Sequence, residues 1–198
     1  ESGISTFRDA GGLWDKYPGE QVATPEGYAR NPELVINFYN ERRKQLLEVR
    51  PNDGHLGLAE LEADFNVTVV TQNIDNLHER AGSRRIIHLH GELTKVCSSR
   101  DPYNPHYIKE LKPDEYEVKF GDKAGDGTQL RPFIVWFGEP VPEIETAVNY
   151  VEKADIFVII GTSMNVYPAA GLLNYVPREA EVYLIDPKPV DVHSMRRI

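Results

Sequence analysis

The uninterrupted apolar run Ile156–Ile160 is five residues long, and no run in the chain is longer. A membrane-spanning helix needs roughly 20 apolar residues, so this run cannot cross a bilayer and no membrane partner is expected. It does suit a strand buried on both faces of a parallel sheet, with the strand spanning 155–160. Comparable short runs at 67–71, 86–89, 133–137 and Glu181–Ile185 predict four more strands. Helical patterns fall between them. Asn31 followed by Pro32 predicts an N-cap and a first helical residue, with Leu34, Val35, Phe38, Tyr39, Leu46 and Leu47 following at helical spacing. Further helices are predicted at 55–63 and 143–153. Strands alternating with helices predict an α/β fold with a mostly parallel sheet. Residues 1–30 read as loop and short turns. Between Thr94 and Arg131 the alternation stops, and 95–130 read as a small inserted module.

Composition narrows the function classes. The 198 residues fit one domain, or one domain with an insert. A net charge of −9, from 22 Lys plus Arg against 31 Asp plus Glu, argues against a general nucleic-acid binder. The single cysteine, Cys97, excludes an intrachain disulfide and suits a reducing, cytoplasmic setting. A structural zinc wants four Cys or His ligands in paired spacing; Cys97 and His106 do not supply them, and no metal is expected. The chain opens on Glu1 rather than Met, in text that reads like the middle of something, so an upstream segment is expected.

Ligands of open parallel sheets bind beyond the carboxyl ends of the strands. After the predicted strands come residues 72–76, 90–92, 138–139 and 161–163, all polar or glycine. Each has a bland explanation, since amides cap helices and glycines turn chains, but together they outline the rim of one pocket. Gly161, Thr162 and Ser163 form a small-residue turn whose backbone N–H groups suit a phosphate or ribose. His88 and His90 alternate along one strand and face opposite sides. His90, beside Gly91, is the catalytic candidate, and His88 reads as structural. Tyr39 and Arg42, at i and i+3, share a helix face. They are either a core-edge phenol with a solvated Arg, or a phenol and a guanidinium fork that bind a carboxylate.

The strings Gly3-Ile4-Ser5-Thr6-Phe7-Arg8 with Gly12-Leu13-Trp14, Thr71-Gln72-Asn73-Ile74-Asp75-Asn76-Leu77-His78, His88-Leu89-His90-Gly91, Phe137-Gly138-Glu139 and Gly161-Thr162-Ser163 resemble, in order, the motifs of the sirtuins, the NAD-dependent protein-lysine deacylases. The resemblance implies a Rossmann-like domain formed by 1–94 and 131–198, with 95–130 standing in place of a zinc module. It further implies NAD in a cleft and acylated-lysine proteins or peptides as substrates. By family position, His90 is the base, and Asn73 joins it as a catalytic residue that also holds the ribose. Gly3, Ile4, Phe7, Arg8, Trp14, Gln72, Ile74, Asp75, Gly161, Thr162 and Ser163 contact NAD. Phe137, Gly138, Glu139, Asn165, Val166 and Tyr167 clamp the substrate peptide as an added strand.

Ala23, Tyr39 and Arg42 match the acyl pocket of sirtuins that remove succinyl and malonyl groups. Three departures stand beside the match. The Gly-Ala-Gly phosphate loop that precedes Ser2 in the family is absent. The zinc cysteines are absent too, leaving the insert to pack on Tyr103, Tyr107, Tyr116 and Phe120. The adenosine-binding Asn-x-Glu is not evident, and Asp186 is expected to serve the ribose instead. The rival reading is a catalytically silent NAD or ADP-ribose-binding module; an ADP-ribosyltransferase is a weaker third.

Overall fold

The region before Asn31, expected to be loop and turn, folds in part into two short helices, α1 (Gly19–Val22) and α2 (Pro25–Arg30). Neither is long enough to show a period. Only the ends mark α2: the Thr24 hydroxyl accepts the Gly27 N–H and Pro25 opens the helix. Gly27 is required by contact, because a Cβ there would stand 2.5 Å from the carbonyl oxygens of Glu20 and Gln21. The computed structural model describes residues 2–4, 16–188 and 190, so Phe7, Arg8 and Trp14 of the expected cofactor loop lie outside the described residues. The chain forms two compact units, residues 1–140 and 141–198.

In the first unit, α3 (Pro32–Glu48) begins where its cap predicts, with the Asn31 side chain accepting the Leu34 N–H. Val35, Phe38, Tyr39 and Leu46 pack with Val22, Leu77, Leu93, Ile134 and Trp136. Ile36 packs with Val96, Leu111 and Val118. Burying each large apolar side chain contributes about 1.5–3 kcal/mol, so α3 is the post around which the unit assembles. Helix α4 (Asp53–Glu60) starts two residues before expectation, because Asn52 and His55 cap each other's backbone N–H groups reciprocally. A 3-10 turn, Leu61–Ala63, ends it.

Strands β1 (Val69–Thr71) and β2 (Ile86–His88) pair in parallel, Val69 opposite Ile86 and Thr71 opposite His88. Helix α5 (Leu77–Ala81), which the sequence reading does not predict, lies between them in sequence and makes a strand–helix–strand unit. The next strand departs from expectation. The eight-residue β3 (Gly91–Ser98), which the alternation does not predict, starts directly after His90. It is flanked by β4 (Lys109–Glu110) and by β5 (Leu130–Ile134), both antiparallel to it. The strand expected at 133–137 is therefore β5, displaced toward the N-terminus, and Phe137–Glu139 follow an antiparallel strand through a turn. Pro132 cannot donate to a ladder; β5 tolerates it as an edge strand.

Of the aromatic residues expected to hold 95–130, Tyr103, Tyr107 and Tyr116 are half-buried but Phe120 is not. Phe120 is 61% exposed, whereas Leu111 and Val118 are buried against Ile36 and Val96. A polar staple completes it. Asp126 accepts hydrogen bonds from the Ser98 hydroxyl (2.6 Å), the Thr128 hydroxyl (2.7 Å) and the Thr128 N–H (3.0 Å). These bonds hold its carboxyl far below the usual range.

In the second unit, α6 (Ile144–Val151) precedes β6 (Ile156–Ile160), a 3-10 helix over Ala169–Tyr175, and β7 (Glu181–Ile185). β6 and β7 pair in parallel from Ile156 opposite Glu181 to Ile160 opposite Ile185. The two-sided burial expected for β6 is not met. Ile159 is buried, but Ile156, Val158 and Ile160 are 43%, 42% and 47% exposed, since alternate side chains share a face and no described residue covers it. No helix among the described residues is long and apolar enough to cross a membrane.

Candidate active site

The two histidines at the β2–β3 junction have opposite surroundings. His88 has both ring nitrogens engaged: Nδ1 with the Asn73 carbonyl at 3.1 Å and Nε2 with Glu79 Oε1 at 2.5 Å. Burial alone would lower its pKa, but the Glu79 hydrogen bond and charge, with the Asn73 carbonyl, raise it above the ordinary imidazole value. His88 is a charged structural partner. At His90, Nδ1 faces the Gln72 carbonyl at 3.2 Å. A carbonyl only accepts, so Nδ1 carries the proton in the neutral ring and Nε2 keeps a lone pair. Burial lowers the His90 pKa, the Gln72 carbonyl opposing it, which leaves a neutral imidazole with Nε2 unpartnered among the described residues. Gly91 places it there. With φ at +86° and a would-be Cβ only 2.1 Å from the Phe133 carbonyl oxygen, only glycine lets β3 begin against β5 directly after His90.

Of the strand-end residues of the first unit, Gln72 reaches His90 and Asn73 reaches His88, each through its carbonyl. The Asn73 N–H is held by the Thr71 hydroxyl at 3.0 Å, while its exposed side-chain amide makes no hydrogen bond among the described residues. Asp75 caps α5 by accepting the Leu77 N–H at 3.0 Å. Ile74 packs on the core, and its carbonyl accepts the Leu93 N–H at 2.7 Å. Ile4 also packs on the core, and the Gly3 carbonyl accepts from Gln45 Nε2 at 3.2 Å, which ties this segment to α3.

The second unit presents its own strand ends. Gly161 directly follows β6 and donates its N–H to the Ile185 carbonyl at 3.0 Å; Thr162 accepts the Met164 N–H at 3.3 Å. Asp186 directly follows β7 and accepts the Lys188 N–H at 2.8 Å. Ser163 and Asn165 are exposed, Val166 is half-buried, and Tyr167 is 62% exposed.

A second cluster surrounds Tyr39 on α3. Tyr39 is 2% exposed, and its oxygen accepts a hydrogen bond from Trp136 Nε1 at 3.1 Å. Burial pushes its pKa far up, so the phenol keeps its proton. One turn on, the half-buried Arg42 has Nε and Nη1 out of reach of water and without a hydrogen-bond partner among the described residues. Its guanidinium lies 5.4 Å from the centre of the Phe38 ring. Ala23 is buried on the same core, and its carbonyl accepts the Phe137 N–H at 2.9 Å. Glu139 completes the turn. It takes two hydrogen bonds from Arg131, both at 2.9 Å, and the Trp136 N–H at 2.8 Å.

The Sir2 family profile matches residues 1–168. The chain belongs to the Sir2 family. It is 86% identical over 198 residues to a protein of Bacteroides thetaiotaomicron named NAD-dependent protein deacylase, covering all of this chain and 85% of that relative. A Helicobacter pylori protein of the same name is 52% identical over 198 residues, covering all of this chain and 84% of its own length. The crystal structure of a Sir2 homolog–NAD complex superposes with a TM-score of 0.83 at 38% identity, covering 96% of this chain and 74% of that one.

In this Sir2 chain, reading from sequence missed Trp136 and Arg131. Both are nearly fully buried, and the guanidinium carbon lies 3.6 Å from the centre of the indole ring. The available signal was a buried-type Arg beside Pro132 and a Trp ahead of Phe137, but pairing them requires the turn at 134–139. Cys97 is buried, and desolvation pushes its thiol up to about 12, so it stays protonated. Among the described residues, Glu79, His88 and Glu92 have metal-ligand spacing, with ligand atoms within 4.8 Å of one another. Those atoms already have partners, since Glu79 holds His88 and Lys95 Nζ lies 2.7 Å from Glu92.

Proposed function

We propose that the protein is an NAD-dependent protein-lysine deacylase that prefers acyl groups ending in a carboxylate, succinyl and malonyl, and also accepts acetyl. It would release nicotinamide and O-acyl-ADP-ribose. The names of its Sir2 relatives support the deacylase reading. The observation that carries the acyl class is Arg42, a half-buried guanidinium with two water-excluded donors unmet among the described residues, one helical turn from a buried phenol. An unpaired buried charge is costly, and a carboxylate between the two groups would receive charge-assisted hydrogen bonds from both.

Each unit by itself offers groups that suit NAD: the exposed Asn73 amide in the first, and the small-residue turn at Gly161–Ser163 and Asp186 in the second. NAD supplies an electrophilic ribose carbon with nicotinamide as its leaving group. In this reading Asn73 and Asp75 orient the ribose and the nicotinamide amide, and Gly3, Ile4, Phe7, Arg8, Trp14, Gln72, Ile74 and Thr162 are the further NAD contacts that the family resemblance implies. His90 takes a ribose hydroxyl proton at Nε2, a role suited to a neutral imidazole poised near physiological pH. Phe137–Glu139 and 165–167 receive the substrate peptide by strand addition, and Ala23 leaves room for the acyl chain.

Residues 1–94 and 131–198 are read as the NAD-binding domain and 95–130 as a zinc-free insert stapled by Asp126. The lone reduced thiol fits a cytoplasmic setting. The test is nicotinamide release from NAD with acetyl-, malonyl- and succinyl-lysine peptides side by side. Turnover that requires peptide and is fastest with the acidic acyl groups is expected. Binding of NAD without turnover on any peptide would instead establish the silent-module alternative.

A further inference from the structure

Trp136 stands between Tyr39 of α3, the turn at Phe137–Glu139 and the end of β5. It is 2% exposed and closely held. The Arg131 guanidinium lies 3.6 Å from its ring centre, and Tyr28 packs at 5.2 Å between ring centres. Its backbone N–H goes to Glu139, which Arg131 grips with two hydrogen bonds of 2.9 Å. Two hydrogen bonds lead away from this lock, one from Trp136 itself and one from the residue after it. The next residue's N–H reaches the Ala23 carbonyl, and the indole Nε1–H reaches the Tyr39 oxygen.

A phenol has one proton to donate and lone pairs to accept with. The indole N–H is only a donor, so at 3.1 Å it occupies the accepting side of the Tyr39 oxygen and cannot receive the phenol proton. No acceptor for that proton exists among the described residues. We propose that Trp136 is a positioning residue for acyl selectivity: its indole N–H fixes the Tyr39 hydroxyl so that the phenol proton is directed to the carboxylate of the acyl group. Arg131 and Glu139 hold the indole in register. This inference rests on the carboxylate reading of Tyr39 and Arg42 above. The Trp136 bond also polarises the phenol, which strengthens its donation in a low-dielectric pocket. Acetyl-lysine has no carboxylate to receive the proton, so its turnover should be indifferent to the indole N–H.

The test is the ratio of kcat/KM on succinyl-lysine to that on acetyl-lysine in the wild type, Trp136→Phe, Tyr39→Phe, the double variant and Arg42→Met. Trp136→Phe keeps an aromatic ring under Arg131 and removes the N–H. It is expected to lower the ratio by about tenfold, the scale of one hydrogen bond, through KM for the succinyl peptide. In the Tyr39→Phe background the same change should have no further effect on the ratio, which a general loosening of the fold would not produce. An undiminished Trp136→Phe effect in that background, or equal losses on both substrates, overturns the proposal. If Arg42→Met collapses the ratio while Trp136→Phe leaves it intact, the carboxylate reading stands and this inference fails. If Arg42→Met leaves the ratio unchanged, the carboxylate reading fails and takes the inference with it.

Should Trp136→Phe not fold, the wild-type protein supplies the second measurement. The ¹⁵N-indole resonance of Trp136, distinguished from Trp14 by Trp14→Phe, should move downfield with a slowly processed succinyl-lysine analogue and not with its acetyl counterpart. Identical shifts with both overturn the proposal.

Discussion

Two adjacent arginines on α3 show how burial separates structure from recognition. Arg43, 4% exposed, donates to the Leu93 carbonyl at 2.7 Å and through Nη1 to Asn40 Oδ1 at 2.8 Å and the Tyr116 carbonyl at 3.4 Å; only Nη2 lacks a partner. Asn40 in turn exchanges two hydrogen bonds with the Val118 backbone, at 2.8 and 2.9 Å. That face of the helix is a fastener for the insert. Beside it, Arg42 has two buried nitrogens with no partner, and Tyr39, whose position on the helix falls between the two arginines, has a proton with no acceptor, both among the described residues. The histidines repeat the contrast: His88 is engaged at both nitrogens, His90 at one. Polar groups that the fold leaves unmet, at a cost in stability, are the ones available to a ligand.

The contrast can be broken at several points. The largest effect belongs to His90. His90→Ala should reduce acyl-peptide-dependent nicotinamide release by about a hundredfold or more, the scale of general-base catalysis, with little change in Tm. His88→Gln should mainly lower Tm, and a comparable loss of turnover would erase the distinction between the rings. Next come the arginines. Arg42→Met should lower kcat/KM on succinyl-lysine by about ten- to a hundredfold and leave stability equal or higher, because it removes an unsatisfied charge. Arg43→Met should destabilise the fold by about 2–4 kcal/mol, measured by denaturant unfolding, without altering acyl selectivity. Swapped outcomes would refute the assignment of the two arginines.

Smaller effects follow from pH. Because the His90 pKa is lowered, the acid limb of kcat/KM should fall below the ordinary imidazole value of about 6.5. A limb above that value would contradict a desolvated base. The His88 pKa is raised, so its contribution to stability is fully present below the unfolded imidazole value and is lost as pH rises through the folded one. The Glu79 pKa is lowered: burial opposes ionisation, but the His88 hydrogen bond prevails. Its contribution is present above the unfolded carboxyl value and is lost as pH falls through the folded one. His88→Gln should flatten the decline in stability as pH rises above the ordinary imidazole value, as read from Tm against pH.

The sequence was most legible where local signals agree. Asn31, Pro32 and the apolar spacing mark α3, and β7 runs over the residues its pattern predicts. Strand β3 was hidden because Glu92, Thr94 and Lys95 interrupt its apolar residues, while its order comes from pairing with β4 on one edge and β5 on the other. Pro132 masked the start of β5, since a proline argues against a strand until an edge position is known. In the site, spacing marks His90 as a candidate and leaves the Tyr39–Arg42 pair open between a core-edge phenol and a carboxylate fork; the family resemblance is what favours the fork. The Trp136–Arg131–Glu139 lock could not be read, because its members meet only through the turn after β5. Nor could a one-dimensional pattern tell that Arg42 would be left without a partner while Arg43, one residue on, would gain three.

The central claim is that the unmet donors of Tyr39 and Arg42 recognise an acyl carboxylate. Its most direct measurement is calorimetric binding of a succinyl-lysine peptide to the wild-type protein against the same peptide with the succinyl carboxylate converted to a carboxamide. The carboxylate peptide is expected to bind about ten- to a hundredfold more tightly. Equal dissociation constants for the two peptides would contradict the account.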